Sequence, residues 1–293
     1  MDNAAHDTSP WFMRLWSRLP LVVRAIVTGF FVFAIAGSIA WTLVIMFVPV
    51  PWSIMVMLAV LVVYWRYFSG VGWPESTRAH RRLCFRATKM PAKVWIWSLV
   101  AAFAAALLVQ AILVSTFRLV EFPAEAWALP YDFSALPAWQ LWMFLVLAAF
   151  VAGITEEIGF RGYMQVPLEQ RYGPAVAIGI VSIVFMLAHL NQAWAGGIVV
   201  GLIAVSVLWG VLARASGSLI PGIISHGSAD VVNFAYWWTD IAGHFDRRPI
   251  SETGIDTHFV LAITIMLSLV AVFAYSIKRT YLERHSAEML TST

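Results

Sequence analysis

Apolar residues run in long blocks along this chain, and most polar residues lie in the short segments between the blocks. A block of roughly 20 mainly apolar residues is long enough for a helix to cross a bilayer. By that template the sequence predicts eight helices, at 21–48, 51–69, 94–117, 138–171, 174–190, 195–213, 218–238 and 258–277. Pro49 and Pro51 separate the first two predicted helices, and Gly173-Pro174 forms the turn after the fourth. The expected fold is all-α, a polytopic transmembrane helical bundle of about eight helices.

Composition agrees with a membrane environment. Hydrophobic residues make up 61% of the chain and charged residues 12%, whereas a soluble domain averages about 45–50% apolar and about 25% charged. So few charges would not cover a soluble surface, but the outside of a membrane bundle is itself apolar. The first apolar block is longer than a signal-peptide core of about 7–15 residues, so we expect a retained span. Cys84 is the single cysteine; an internal disulfide is therefore excluded, and we expect an inert thiol.

Charge asymmetry orients the predicted bundle. The net charge of +3 comes from basic residues that cluster in short loops on one side, which the positive-inside rule explains without a nucleic-acid partner. The basic side carries Arg14, Arg18, Arg24, Arg78, Arg81, Arg82, Arg86, Lys89, Lys93, Arg171, Arg214, Lys278, Arg279 and Arg284. The opposite side carries Glu121, Glu125, Asp132, Asp240, Asp246, Glu252 and Asp256. This asymmetry predicts that both termini lie in the cytoplasm. We expect a multi-pass protein in a bacterial plasma membrane.

Three of the predicted helices carry a compact set of polar residues inside their apolar blocks. Each charge at the centre of a membrane helix costs about 2.5–3.5 kcal/mol on insertion scales, so such residues are functional candidates. The set consists of Glu156, Glu157 and Arg161 in the fourth helix, Phe185 and His189 in the fifth, and His226, Asp230 and Asn233 in the seventh.

Helical spacing gives this set a predicted geometry. Glu157 and Arg161 are four residues apart and can form a supporting ion pair, which leaves Glu156 free on a different azimuth. His226 shares one face with the two polar residues that follow it on the seventh helix. If the fourth and fifth helices form a hairpin, Glu156 and His189 each lie about sixteen residues from its turn, or ~24 Å, and meet at one depth.

Two hydrolytic chemistries fit these residues. A carboxylate beside a histidine, here Glu156 and His189, can deprotonate a water, and a second histidine such as His226 can stabilise an oxyanion. Alternatively, His189, His226 and Glu156 could hold a zinc ion. In a purely structural interpretation, Phe185 is ordinary helix packing and Asn233 an interhelical hydrogen-bonding residue.

The motifs resemble those of a known family. The fourth helix reads Glu-Glu-x-x-x-Arg from Glu156, the fifth reads Phe-x-x-x-His from Phe185, and the seventh reads His-x-x-x-Asp from His226. In this order, over roughly residues 138–236, they resemble the CPBP intramembrane peptidases, which include the type II CAAX prenyl endopeptidases. The resemblance implies that Glu156 and His189 activate water, while His226 and Asp230 bind the oxyanion, by a metal-dependent or a glutamate-dependent mechanism.

Asp230 departs from the prenyl-protein processing members, which typically carry asparagine at this position. An ionised aspartate accepts hydrogen bonds but cannot donate one to an oxyanion. Three roles stay open for Asp230: orienting His226, binding a metal, or acting as a protonated carboxyl group. The departure also weakens any transfer of prenyl specificity.

We therefore predict an endopeptidase that cuts a peptide or membrane-protein substrate, prenylated or not, near the cytoplasmic face in contact with membrane lipid. The alternative is a non-catalytic membrane protein of the bacteriocin-immunity or secretion-accessory type; a proton-coupled transporter ranks third because no internal repeat is visible. The predicted catalytic core is 138–238, with N-terminal helices and a basic loop in 1–137. Residues 239–293 supply a loop, the last helix, and a tail that we expect to be loosely ordered after Lys278.

Overall fold

The computed structural model describes residues 11–121, 136–190, 196–237 and 248–292, which form helices joined by short connections without any β-strand. Eight long helices are labelled in chain order: α1 Leu21–Phe47, α2 Trp52–Phe68, α3 Ala92–Leu119, α4 Ala138–Tyr172, α5 Pro174–Ala188, α6 Gly196–Ser216, α7 Ile220–Trp237 and α8 Thr257–Ser292. Among the described residues, three short α-helices lie outside them, at Trp11–Arg18, Arg78–Cys84 and Ile250–Thr253, and a 3-10 helix lies at Glu75–Thr77. The predicted all-α helical bundle is confirmed. Glu125, Asp132, Asp240 and Asp246, named above for the acidic side, lie outside the described residues.

Most helix ends agree with the prediction to within a few residues, but α8 continues to Ser292 instead of ending near 277. Ion pairs four residues apart hold this extension, with 2.8 Å between Arg279 and Glu283 and 2.9 Å between Arg284 and Glu288. Such pairs stabilise a helix in water. The tail after Lys278 is therefore helical, and the expectation of loose order was wrong.

Five of the long helices, α1, α3, α4, α6 and α8, are long and apolar enough to cross a membrane. The apolar helices α2 and α5 are shorter. An integral membrane protein is therefore supported, while a bundle that crosses the bilayer with all eight helices remains a prediction.

Pairs of glycines let α4 approach two neighbouring helices at backbone distance. A Cβ atom at Gly153 would lie 2.9 Å from the backbone nitrogen of Gly227 on α7, and one at Gly159 would lie 2.7 Å from the carbonyl oxygen of Gly29 on α1. Small residues at such crossings permit close packing in a membrane. These contacts fix the level of α4 against α7, which together carry most of the candidate site.

Within α4, residues Glu157–Met164 form a π-helix, with α-helix before and after it. Pro167 gives a physical reason, because proline cannot donate to the carbonyl of Tyr163, four residues earlier, and its ring clashes with that carbonyl. A wider turn upstream relieves the clash, and single π-turns are often found at functional sites.

The connection between α2 and α3 is ordered around buried side chains. Arg81 donates hydrogen bonds to the carbonyl oxygens of Tyr67, Gly72 and Pro74. Cys84 is buried behind this connection, and burial raises the pKa of its thiol to about 12. A thiol with such a pKa stays protonated at neutral pH, in line with the expected inert cysteine.

At the other end of the bundle, Arg118 of α3 is buried and pairs with Asp256 at 2.9 Å, immediately before α8. A hydrogen bond from the backbone N–H of Phe259 and the bonds from Arg118 hold the pKa of the Asp256 carboxyl below its ordinary value of 3.8. A carboxyl group whose pKa is lower in the folded protein than in the unfolded chain stabilises the fold at every pH above its unfolded-state pKa. This stabilisation disappears as the pH falls through the lower pKa of the folded state.

We therefore expect Asp256→Asn to lower the midpoint of thermal unfolding at pH 7, and the difference from wild type to shrink as the pH falls below about 4. Unfolding in detergent at several pH values measures both effects. Glu252→Gln removes a carboxylate from an exposed residue of the adjacent short helix and serves as the matched control. An Asp256→Asn deficit that is constant across this pH range would contradict the assignment.

Candidate active site

The imidazole ring of His226, on α7, lies between three carboxyl groups. Its Nδ1 atom is 3.1 Å from Oε1 of Glu157. Its Nε2 atom is 3.9 Å from Oε2 of Glu156 and 3.8 Å from Oδ2 of Asp230. Only 5% of the His226 side chain is exposed, so these carboxyl groups and not bulk water determine the charge around the ring.

Two consecutive glutamates contact opposite nitrogens of this ring at the start of the π-helix. The sequence predicts that Glu156 lies on a different azimuth from Glu157, since neighbours on a regular α-helix are about 100° apart. The wider turn begins at Glu157, where both side chains approach α7. Gly222 makes room for the second of them, because a Cβ atom there would lie 2.9 Å from Oε2 of Glu157.

The predicted ion pair of α4 is present, with 3.3 Å between Nη1 of Arg161 and Oε1 of Glu157, both fully buried. The same Oε1 atom is the partner of His226. Because an ionised carboxylate can only accept, Nδ1 of His226 carries a hydrogen and donates it to Glu157. The pair held by Arg161 thus fixes the orientation of the ring and directs Nε2 towards Glu156 and Asp230.

Helix α6 contributes two side chains that the sequence interpretation missed. The indole of Trp209 stacks on His226, with ring centroids 3.8 Å apart and planes at 14°, and its N–H donates to the hydroxyl of Ser225. The hydroxyl of Ser206 accepts a hydrogen bond of 2.9 Å from Arg161. A signal existed, because Trp209 lies within an apolar helix and not at the membrane interface where tryptophan is usually found, and Ser206 precedes it by three residues on the same face.

The ring of Phe185 connects α5 with the rest of the site. It lies 4.4 Å from the ring of His189 and 6.4 Å from that of His226, between centroids. The guanidinium carbon of Arg161 lies 4.7 Å from its centroid and 5.3 Å from that of Trp209. Cation–π contacts of this kind add to the ion pair in holding a buried guanidinium.

His189 directly follows the last residue of α5. Its Nδ1 atom is 2.8 Å from the carbonyl oxygen of Phe185, so Nδ1 is the donor of this hydrogen bond and Nε2 is left as an acceptor in the neutral ring. Across the described ranges, no ion pair joins His189 to Glu156, and the ring of Phe185 lies between the rings of His189 and His226. That His189 and Glu156 act on one water remains a prediction.

The outer part of α7 is more accessible than His226. The side chain of Asp230 is 30% exposed, compared with 11% for Glu156. Asn233 is half-buried, and its Oδ1 atom has no hydrogen-bond partner among the described residues. Asp230 therefore has the most exposed of the three carboxyl groups around His226.

His189, His226 and Glu156 form the zinc set of the sequence hypothesis. In the part of the chain that the structure describes, no three histidine, cysteine, aspartate or glutamate side chains are already arranged to hold one metal ion. The Nδ1 atoms of both histidines are hydrogen-bonded, to the carbonyl oxygen of Phe185 and to Glu157, which leaves both Nε2 atoms as the ones that could bind a metal. Zinc binding by this set remains a prediction.

Comparison with known proteins bears directly on this segment. Residues 137–232 match the family model described as Rce1-like, type II CAAX prenyl endopeptidase Rce1-like. The match contains the three motif segments that begin at Glu156, Phe185 and His226, and it ends one residue before Asn233. No curated protein and no solved structure matched the chain. The match supports an intramembrane protease that acts on a peptide or membrane-protein substrate, and it shows that residues 137–232 are similar to the Rce1-like type II CAAX prenyl endopeptidases.

Proposed function

We propose that the protein is an intramembrane endopeptidase in which Glu156 and His189 activate water and His226 with Asp230 stabilises the oxyanion. One observation carries the proposal: a buried imidazole is clamped through Nδ1 by Glu157, while its Nε2 is directed at two further carboxyl groups. Buried charges at this density are costly in a membrane helix and mark functional sites. The Rce1-like match of the same segment supports the hydrolase chemistry.

In the proposed reaction, a water lies between Oε2 of Glu156 and Nε2 of His189. Glu156 takes a proton from the water as the oxygen bonds to the carbonyl carbon of the substrate, and the carbonyl electron pair moves onto the oxygen. The oxyanion is then stabilised from the Nε2 side of His226. When the carbon–nitrogen bond breaks, the departing amine takes the proton from Glu156, and both products are released with the carboxylate restored.

Charge balance gives a role to Asp230. If His226 carries hydrogens on both nitrogens, it and Arg161 supply two positive charges against the carboxyl groups of Glu156, Glu157 and Asp230. The proposed reaction assigns one proton to this set, on Asp230. With that proton, Asp230 can donate a hydrogen bond to the oxyanion as an asparagine would, and Glu156 remains available as the base.

An apolar groove between α2 and α4 fits a substrate that arrives from the membrane. Its volume is about 950 Å³, and its lining includes Leu58, Trp142 and Ile154. Ile154 precedes Glu156 by two residues in the chain. Phe150 lines the same groove and packs against Gly227, the residue after His226. We propose that the groove holds the apolar part of the substrate, a lipid chain or an apolar peptide segment, beside the catalytic groups.

The test is cleavage of membrane-anchored peptides by the purified protein in proteoliposomes, with fragments identified by mass spectrometry. Each peptide is supplied with and without a prenylated cysteine, which separates lipid recognition from peptide recognition. We expect wild type to release a fragment and His226→Ala to lose release by about 10²-fold or more, because the oxyanion loses its donor. Equal release by wild type and His226→Ala would overturn the proposal and favour a non-catalytic role.

Metal removal is the second test of the mechanism. We expect peptide release to persist unchanged after dialysis against a zinc chelator, because no catalytic step requires a metal ion. Metal content of the purified protein is measured in the same preparation by elemental analysis. Loss of activity on chelation, restored by added zinc, would contradict the glutamate-dependent mechanism and support the zinc hypothesis.

A further inference from the structure

Four arginines converge at the end of the bundle where α4 turns into α5, which we call the basic end. They line a cavity of about 410 Å³ and come from separate parts of the chain: Arg82 and Arg86 from the connection before α3, Arg214 from α6, and Arg284 from α8. Glu169 of α4 is the acidic side chain among its described lining residues. The cavity therefore has a marked excess of positive charge.

The inner wall of the cavity is fixed by a buried ion pair. Arg86 and Glu169 are 2.9 Å apart, with 9% and 8% of their side chains exposed, and Arg214 approaches the same carboxylate to 3.8 Å. Burial lowers the pKa of the Arg86 guanidinium; Glu169 opposes this effect, whereas Arg214 and Arg284 add to it. Glu169 thus faces Arg86 and Arg214, and Glu288 pairs with Arg284. Four arginines against two carboxylates leave an excess of positive charge.

The outer wall is formed by Arg284, whose guanidinium has a defined position. It donates to the carbonyl oxygen of Arg214 at 3.1 Å and to Glu288 at 2.9 Å. The guanidinium lies directly over Gly217, where a Cβ atom would collide with it, and Gly217 has a φ of +67° that favours glycine. A glycine in this place lets the guanidinium lie flat against the backbone, with its remaining N–H groups available to a ligand.

We propose that this cavity at the basic end binds a phosphate group, supplied by an anionic lipid headgroup or by free phosphate. Guanidinium groups bind phosphate oxygens in a planar, two-point manner. Basic pockets between membrane helices at the level of the headgroups are well suited to anionic lipid. The ends of α4, α6 and the loop before α3 place the four arginines at that level, where the apolar helices give way to polar connections.

Binding of an anion at the basic end does not depend on cleavage of a peptide. The four arginines lie outside the set of Glu156, His189, His226 and Asp230 to which the proposed reaction assigns chemistry. Lipid and phosphate binding can be measured without a peptide substrate, so this proposal and the proposed proteolysis can fail separately.

The test uses the full chain in nanodiscs of phosphatidylcholine with increasing amounts of phosphatidylglycerol, and bound lipid is counted by native mass spectrometry. A second arm titrates inorganic phosphate against chloride in phosphatidylcholine alone and follows the midpoint of thermal unfolding. We expect wild type to retain phosphatidylglycerol and Arg284→Gln to bind it about fivefold more weakly, the change expected for one basic residue near an anionic surface.

Arg279→Gln is the matched control, because Arg279 lies on the same helix, pairs with Glu283 and stacks on Trp97 outside this cavity. Lipid retention that falls in Arg284→Gln but not in Arg279→Gln supports the site, and a phosphate-dependent rise in the wild-type midpoint shows that the free anion binds too. If Arg284→Gln does not fold, Arg284→Lys replaces it. Equal lipid retention by wild type and the Arg284 variant, with no effect of phosphate, would overturn the proposal.

Discussion

Glu156→Gln is expected to slow peptide release about 10²–10⁴-fold, the usual contribution of a general base, while the protein still folds. Glutamine has nearly the same shape as glutamate but cannot take a proton from water. In the structure Oε2 of Glu156 has no hydrogen-bond partner among the described residues and lies 3.9 Å from Nε2 of His226, so the substitution breaks no formed hydrogen bond there. Rates of fragment release in proteoliposomes measure the effect.

A matched control separates this loss from a general effect of removing a carboxylate. Glu75→Gln makes the same chemical change at an exposed position in the connection between α2 and α3, and its rate should equal that of wild type. Circular dichroism and the midpoint of thermal unfolding confirm that the Glu156 variant is folded. Undiminished release by Glu156→Gln would show that another group deprotonates the water.

The part of the site that the sequence predicts is the part that depends on local spacing. Four residues separate Glu157 from Arg161 and His226 from Asp230, and each pair is close in the structure. This agreement has a simple cause, because residues four apart lie on nearly the same face of an α-helix, and Glu157 and Arg161 stay close in the wider turns of the π-helix. The helix boundaries follow for the same reason, because apolar length and the glycine or proline at each turn are local features.

The part that the sequence does not predict depends on a change of helical pitch and on packing between distant segments. Glu156 and Glu157 contact opposite nitrogens of His226 where a π-helix begins, and no periodicity based on 3.6 residues per turn anticipates that helix. Trp209 reaches His226 from α6, seventeen residues before it in the chain, and only the packing of α6 against α7 brings the rings together. Predicting such contacts requires the three-dimensional arrangement of the helices.

The Glu157–Arg161 pair serves both the stability of α4 and the orientation of His226. The sequence treats the pair as structural, and its burial agrees with that interpretation. The structure adds that Glu157 also accepts the hydrogen bond from Nδ1 of His226. A change in the pair therefore alters both the stability of α4 and the orientation of the ring that faces Glu156.

Arg161→Met is expected to lower the free energy of unfolding by about 3–5 kcal/mol, the cost of leaving one partner of a buried ion pair uncompensated. Arg161 is fully buried, and its removal leaves the Glu157 carboxylate without its cation while the hydroxyl of Ser206 loses its donor. The rings of Phe185 and Trp209 remain, so methionine can fill much of the space. Reversible unfolding in mixed micelles measures the change.

Two comparisons decide whether this loss comes from the unpaired carboxylate. Arg171→Met removes an exposed arginine near the end of the same helix and should change the free energy by no more than about 0.5 kcal/mol. In the double variant Glu157→Met with Arg161→Met, both charges are absent, and replacing a whole buried pair by apolar residues is often close to neutral. The double variant should therefore be more stable than Arg161→Met alone, yet lack activity because His226 has lost the carboxylate that orients it. A double variant that is less stable than the single one would show that the pair stabilises α4 beyond neutralising its own charges.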